Sequence, residues 1–435
     1  MTQVTAPDPT GRQRGPDPDA GSQPNEVRAL SALAFGELRA FPGAIRDMHL
    51  GIAQRAFRGV GPAARPVQII HDALSRRGYD AIGSGAALLG RAADAAMETG
   101  GIGRDALLSS TRPGSAAIAA LNGLIGDRLE RTGSDLHQPT SVRLHGQPVA
   151  IDPDSLGAAF PEATSRLVVF LHGLMGSEFY WQWNASDARD TYGARLAEEL
   201  GFTPVYLRYN SGRHVSENGR SVAELLEQLV EAWPVPVSEV ALVGHSIGGL
   251  VARSACYQAA ESGQRWTEHV CHVVSLGTPH LGAPLEQGAH LAAAALSALP
   301  ETRMFGTFLR RRSAGIRDLR HGSLVDEDWR GRDPDALRAA ACREVPLLEG
   351  ATHCFVSATV TRSPRHPVGR LLGDVLVLVP SATGQGRTRR IPFQAEYGHH
   401  VGPAHHLALL NHPEVYDRLR GWLAKPPAPM HERAA

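Results

Sequence analysis

A mostly parallel β-sheet with helices on both faces, an α/β fold, is what this 435-residue chain predicts. Three observations predict it. Near-continuous apolar runs recur between residues 139 and 425, as strands buried on both faces require. Helical stretches alternate with them, the clearest being Val222, Leu225, Leu226, Leu229, Val230 and Trp233 at i, i+3, i+4, i+7, i+8 and i+11. A serine lies in Gly244-His245-Ser246-Ile247-Gly248, directly between an apolar run and a helical pattern. Strand–helix alternation of this kind builds a parallel sheet covered by its own crossover helices.

Residues 1–26 are rich in proline and polar residues with little to bury, and read as a disordered tail. Residues 27–138 read as helical, with Val27, Leu30, Ala34 and Leu38 on one stripe and Ile69, Ile70, Ala73 and Leu74 on another. Gly and Pro near 59–66, 79–85 and 100–114 divide this region into several helices. It names no chemistry; it is either a packing domain or a surface for lipid or a partner.

A hairpin-like pair at Ser141–Ile151 opens the α/β unit, 139–425. Strand candidates follow at Arg166–Leu171, Thr203–Leu207, Val240–Val243, Val270–Leu276 and Cys354–Val360. Residues 283–350 are too long for a plain connection and read as a helical insertion, with an alanine-rich stretch at 291–299 and the run Arg310, Arg311, Arg312. A last helix buries Val415, Leu419, Trp422 and Leu423, with Pro413 in its first turn and Asn411 and Glu414 placed for a capping box. Residues 426–435 form a frayed tail.

Composition narrows the function. Lys+Arg 44 balances Asp+Glu 44, which argues against a nucleic-acid binder. With 43% hydrophobic and 20% charged residues the chain can bury a sizeable core. The cysteines Cys256, Cys271, Cys342 and Cys354 have no CxxC spacing, and buried free thiols are expected over disulfides. The N-terminus has no apolar signal segment and no window nears a membrane span, so a soluble cytoplasmic protein is expected.

A serine hydroxyl becomes a nucleophile only when a base takes its proton. On a strand-to-helix elbow, Ser246 would be held in a strained conformation with its oxygen above the sheet, and the flanking glycines keep the turn free of Cβ collisions. Chain order in such an architecture is Ser, then acid, then His. Asp374 in GDVLV supplies the acid and His406 in HHLALL the base. Asp318, Asp326 and Asp328 compete, but lie in the insertion, where acids are usually solvated. His399, His400, His405 and His412 compete as base; His412 opens the last helix and reads as structural, and the histidine-rich stretch lacks a metal-ligand spacing. The oxyanion needs two backbone N–H donors, and Ile247 and Leu174 are placed to give them. His172, Gly173, Met175 and His245 adjoin these donors and are candidates for substrate contact, His172 more as a holder of the loop. Phe179, Tyr180, Trp181 and Trp183 either line a substrate pocket or pack, and Phe179 and Trp181 are taken as substrate-binding candidates.

HGLMG (172–176), GHSIGG (244–249), SLGTPHLGAP (275–284), GDVLV (373–377) and HHLALLNHP (405–413) together resemble the α/β-hydrolase superfamily. Within it the chain resembles bacterial lipases and esterases with a GTPH loop, the PGAP1-like and lipase-like group, over residues 139–425. The resemblance implies an α/β-hydrolase fold, Ser246, Asp374 and His406 as triad, and Leu174 and Ile247 as oxyanion donors. It places the insertion where related lipases carry a mobile lid. It implies no metal or organic cofactor, and an acyl-ester substrate, with lipid esters and peripheral membrane contact in its range. His280 of the GTPH loop precedes the acid and reads as structural; YNSGRHVSENGR (209–220) has no evident role. The reading is a carboxylic-ester hydrolase, with an acyltransferase or thioesterase using the same triad as the alternative and a non-catalytic binding protein as a second. Oligomeric state is not legible.

Overall fold

The computed structural model describes residues 108–283, 312–333, 342–386 and 389–424, together with residues 26, 65, 68, 69, 72 and 73. The expected helices before residue 108, the alanine-rich stretch 291–299, Arg310, Arg311 and the tail 426–435 lie outside the described residues, apart from those few positions. Glu26, at the end of the expected tail, is instead helical and buried, its carboxylate accepting the Ser109 amide at 2.9 Å.

From residue 108 on, the first helix is α1 (Arg112–Arg131), with Thr111 at its N-cap accepting from the Gly114 amide. Ile118, Leu121, Ile125 and Leu129 form its buried stripe against Leu136. The hairpin β1 (Ser141–Leu144) and β2 (Gln147–Val149) follows, and then α2 (Pro153–Ala159). β3 (Arg166–Leu171), α3 (Tyr192–Leu200), β4 (Thr203–Arg208), α4 (Val215–Ala232), β5 (Glu239–His245), α5 (Ile247–Glu261) and β6 (Val270–Leu276) then alternate. The insertion contributes α6 (Ala314–Asp318). β7 (Thr352–Ala358), α7 (Pro367–Leu372), α8 (Val379–Ala382), β8 (Gly398–Val401) and α9 (Pro413–Leu423) close the chain.

The described strands make one eight-stranded sheet in the order β2-β1-β4-β3-β5-β6-β7-β8. From β4 to β8 every pairing is parallel, and only β1 runs antiparallel to its neighbours β2 and β4. Side chains of β3 show why its sequence is a continuous apolar run. Leu167, Val169 and Leu171 face one core with α4 and α5, while Val168 and Phe170 face another with α3 and α9. Each fully buried Val, Leu or Phe contributes about 1.5–3 kcal/mol, so both faces stabilise the central strands. All four cysteines are free thiols. Among the described residues no helix is long and apolar enough to cross a membrane.

β8 reads Gly-His-His-Val and carries no apolar run, because an edge strand buries little. One local expectation is corrected. The last helix is not boxed by Asn411: His412 is the N-cap residue, without a side-chain cap bond. Asn411 has φ 52° and its amide bridges loops instead, accepting from Tyr192 N at 2.7 Å and donating to the Trp181 and Trp183 carbonyls at 2.8 Å each.

Candidate active site

β5 runs into α5 with a single residue between them, Ser246, at φ 56° and ψ −126°. A non-glycine residue held there costs about 1–3 kcal/mol, so its surroundings must enforce the conformation. They do so by close backbone approach. A Cβ on Gly244 would stand 2.5 Å from the Gly248 carbonyl carbon, and one on Gly248 would stand 2.3 Å from the Leu171 carbonyl oxygen. A Cβ on Gly249 would meet Thr278 Oγ1 at 2.1 Å. The start of α5 is therefore pressed against the exits of β3 and β6, and the Ser246 amide is tied to the Leu276 carbonyl at 2.9 Å.

The acid and the imidazole meet across more than thirty residues of chain: His406 Nδ1 donates to Asp374 Oδ2 at 2.8 Å, and the His406 amide to the Asp374 carbonyl at 2.9 Å. Asp374 is 1% exposed and its other oxygen accepts the Leu376 and Val377 amides at 3.0 and 2.7 Å. Gly373 makes that turn with φ 58°, where a Cβ would collide with the Val377 carbonyl oxygen at 2.0 Å. His406 Nε2 is buried and has no hydrogen-bond partner among the described residues. Its ring lies against Gly277, where a Cβ would stand 3.2 Å from His406 Cε1 and Nδ1. Gly277 directly follows Leu276, the residue that holds the Ser246 amide, so the Ser246 backbone and the His406 ring flank one turn. His245 Nε2 donates to the His406 carbonyl at 3.1 Å; burial, then the nearby His406, hold its imidazole well below the usual histidine range.

Asp318, Asp326, Asp328, His399 and His400 are engaged elsewhere. The expectation that acids of the insertion are solvated is corrected for Asp318 and Asp328, both buried. Asp318 accepts from His214 Nδ1 at 3.1 Å and from Val215 N at 2.7 Å, and Asp328 from Leu324 N at 2.8 Å. Asp326 accepts from Ser216 Oγ at 2.6 Å. His399 pairs with Glu414 at 2.9 Å, and His400 lies 3.1 Å from both Ser357 Oγ and Thr359 Oγ1. His280 is buried and accepts from Arg253 at 3.3 Å, a structural role; burial pushes its imidazole well below the usual range.

The loop after β3 passes over Ser246. A Cβ on Gly173 would stand 3.1 Å from His245 Nδ1, 3.3 Å from Ser246 Cβ and 3.4 Å from the Tyr180 hydroxyl. His172 is fully buried and stacks on Tyr209 with ring centroids 4.1 Å apart. Burial lowers its pKa to about 4, so the ring is neutral: Nδ1 donates to the Gly173 carbonyl at 2.8 Å and Nε2 accepts from the Tyr209 amide at 3.3 Å. Met175, at φ 58°, donates its amide to Ser211 Oγ at 3.0 Å. The amides of Leu174 and Ile247 have no acceptor among the described residues.

Phe179 and Trp181 do not bound this space. Trp181 is 1% exposed and packs on Phe170 at 4.8 Å, and Phe179 packs between Arg112, 5.9 Å from its ring, and the hairpin turn at Gly146. Tyr180, between them in sequence, brings its hydroxyl to the Gly173 loop beside Ser246. Tyr209 and Ser211 belong to the 209–220 segment, which has no evident role in the sequence alone: they lie on the next strand's exit, close in space through the parallel pairing of β3 and β4. Among the described residues no group of three or more His, Cys, Asp or Glu converges to hold a metal.

A family model described as a PGAP1-like alpha/beta domain matches residues 162–307, which include the 172–176 loop and Ser246 and stop short of Asp374 and His406. No curated protein matches the chain. Among solved structures, a Bacillus licheniformis lipase in its mature form is 17% identical with a TM-score of 0.37, the match covering 59% of this chain and 91% of that one. A Bacillus megaterium epoxide hydrolase in complex with an inhibitor is 14% identical with a TM-score of 0.33, covering 60% and 95%. A Pyrobaculum calidifontis esterase is 17% identical with a TM-score of 0.31, covering 62% and 76%.

Proposed function

We propose that the chain is a member of the α/β-hydrolase superfamily and a serine hydrolase that cleaves carboxylic esters through Ser246, His406 and Asp374. Ser246 Oγ attacks the acyl carbonyl carbon while His406 Nε2 takes its proton. The negative charge gathers on the former carbonyl oxygen, held by the Leu174 and Ile247 amides. Each such donor is worth roughly a hundred- to a thousandfold in rate. Imidazolium then protonates the leaving alkoxide, an acyl-serine forms, and water attacks it with His406 again as base. Asp374 keeps the proton on Nδ1, so that Nε2 presents a lone pair, and stabilises the imidazolium.

The observation that carries this reading is the His406–Asp374 bond at 2.8 Å with Nε2 left without a partner beside the Ser246 turn. Buried polar nitrogens are almost always paired, and an unpaired one at a strained serine has a ready explanation as a base. The 139–425 segment is the catalytic unit in this reading, and the insertion borders it. Its described part packs beside the oxyanion loop, Ser313 Oγ donating to the Gly123 carbonyl of α1 at 2.6 Å. The test is labelling by a fluorophosphonate and turnover of a series of nitrophenyl esters. Both are expected for the wild type and lost in Ser246→Ala. Undiminished hydrolysis by Ser246→Ala would refute the assignment.

A further inference from the structure

The Tyr209–Gly212 stretch, YNSG, has no role in the chemistry above, yet each of its side chains reaches a defined partner. Tyr209 grips the first half of the oxyanion loop. Its amide donates to His172 Nε2 and its hydroxyl to the His172 carbonyl. Ser211 grips the second half through the Met175 amide at 3.0 Å. Asn210, between them, turns the other way and donates to the Gly126 carbonyl of α1 at 2.9 Å, while its own Oδ1 accepts the Gly212 amide at 3.0 Å.

The consequence concerns one peptide plane. The Leu174 N–H belongs to the same planar trans unit as the Gly173 carbonyl, and the two point in opposite directions. That carbonyl accepts from His172 Nδ1 at 2.8 Å and from the Gly176 amide at 3.1 Å. With the carbonyl pinned on one side, the Leu174 N–H is aimed to the other. Tyr209 fixes the tautomer of the ring that does the pinning, since an Nε2 that accepts leaves the proton on Nδ1. Ser211 holds the next peptide, whose Met175 residue has a positive φ that would otherwise relax.

Helix α1 supplies the platform. A Cβ on Gly123 would stand 2.3 Å from Met175 Cγ and 3.0 Å from its backbone nitrogen. A Cβ on Gly126 would fall 1.8 Å from Asn210 Oδ1, and one on Gly212 would fall 2.0 Å from the Asn122 carbonyl. The helix departs from regular dihedrals at Ile125, between Gly123 and Gly126. We propose that Tyr209, Asn210 and Ser211 are positioning residues for the Leu174 amide, held in place by α1. The proposal rests on the reading of Leu174 as an oxyanion donor, and it gives the helix before the catalytic unit a part in turnover.

The test compares full-length wild type, Ser211→Ala, Gly126→Ala, Ser246→Ala and the surface control Arg131→Ala, each counted by fluorophosphonate-titrated sites where it labels. Displacing a donor acts on the transition state and not on ground-state binding, and a misplacement of about 1 Å is worth roughly a hundredfold. Ser211→Ala and Gly126→Ala should lower kcat by about tenfold to a hundredfold with KM within about twofold. The Ki of a trifluoromethyl ketone should rise by the same factor as kcat/KM falls. Arg131→Ala should match the wild type. If Ser246→Ala remains active, the underlying reading fails whatever the other variants do. If Ser246→Ala is dead and Ser211→Ala keeps kcat within twofold, or changes KM alone, the positioning role is overturned. Should Gly126→Ala not fold, Ser211→Ala, which removes a single hydroxyl, decides.

Discussion

Replacing Asp374 by Asn separates the electrostatic role of this carboxylate from its structural one. Oδ1 accepts the Leu376 and Val377 amides at 3.0 and 2.7 Å, and an asparagine carbonyl can keep both bonds. The other oxygen faces His406 Nδ1 at 2.8 Å, and there an NH2 group must be accommodated. It can only donate, so Nδ1 becomes the acceptor and the imidazole proton moves to Nε2. The base then presents an N–H to the Ser246 side and cannot take a proton. Loss of the correct tautomer in a triad of this kind costs about 10⁴ in kcat, which is about 5.5 kcal/mol at 1.36 kcal/mol per decade. Stability should barely change, because the buried amides remain paired. Asp374→Ala, by contrast, strands both amides at about 1–3 kcal/mol each. The assay is nitrophenyl ester turnover beside urea unfolding. An Asp374→Asn enzyme within tenfold of wild type would refute the tautomer argument, whatever its stability.

Gly277→Ala places a Cβ 3.2 Å from the His406 ring and 2.9 Å from Leu409 Cδ1 at a positive φ, and should lower kcat by roughly a hundredfold; an unchanged kcat in steady-state assays would speak against imidazole and serine sharing this turn. Glu178→Ala leaves the fully buried Arg208 without the carboxylate that its Nε reaches at 2.7 Å, and should cost about 3–5 kcal/mol by urea unfolding; a loss under about 1 kcal/mol would be inconsistent with a desolvated pair. Stability should also fall with acid. Burial lowers His172 and His353 from 6.5 to about 4, so between these values the unfolded chain binds protons that the folded chain refuses. The effect is absent above pH 6.5, and the loss of stability grows as pH drops through the window, to about 3 kcal/mol per histidine by pH 4. A flat unfolding free energy from pH 6.5 to 4.5, or a slope unchanged in His353→Gln, would count against it.

Legibility in the sequence followed locality. The run Arg166–Leu171 announces a central strand because both of its faces are buried, and the Gly-x-Ser-x-Gly spacing announces an elbow because every glycine there answers to a contact within or beside the same turn. Asp374 and His406 were readable by order along the chain, and the structure brings them to 2.8 Å. What escaped is what depends on pairs remote in sequence. Trp181 is aromatic and near the loop, yet only the sheet decides that it faces Phe170. Tyr209 and Ser211 look like a polar turn, and only the parallel pairing of β3 with β4 sets them beside His172 and Met175. Asp318 looks like a solvated acid until His214 and Val215 close on it.

Backbone strain then locates the part of the molecule most sensitive to such remote partners. Met175, Ser246 and Gly277 all have positive φ, as do Gly373 and Val375 on either side of Asp374. For the non-glycine residues each such conformation stores about 1–3 kcal/mol, and it persists only where neighbours over-determine it. Ser246 is pinned by Leu276, Met175 by Ser211, and Asp374 by Val377, every one through a backbone amide. Those bonds constrain direction more than they add stability, since a net hydrogen bond contributes only about 1 kcal/mol. Removing one should therefore leave a folded protein whose reacting groups are misaimed. Loss of kcat without loss of fold is the signature that separates this arrangement from a structurally inert set of turns.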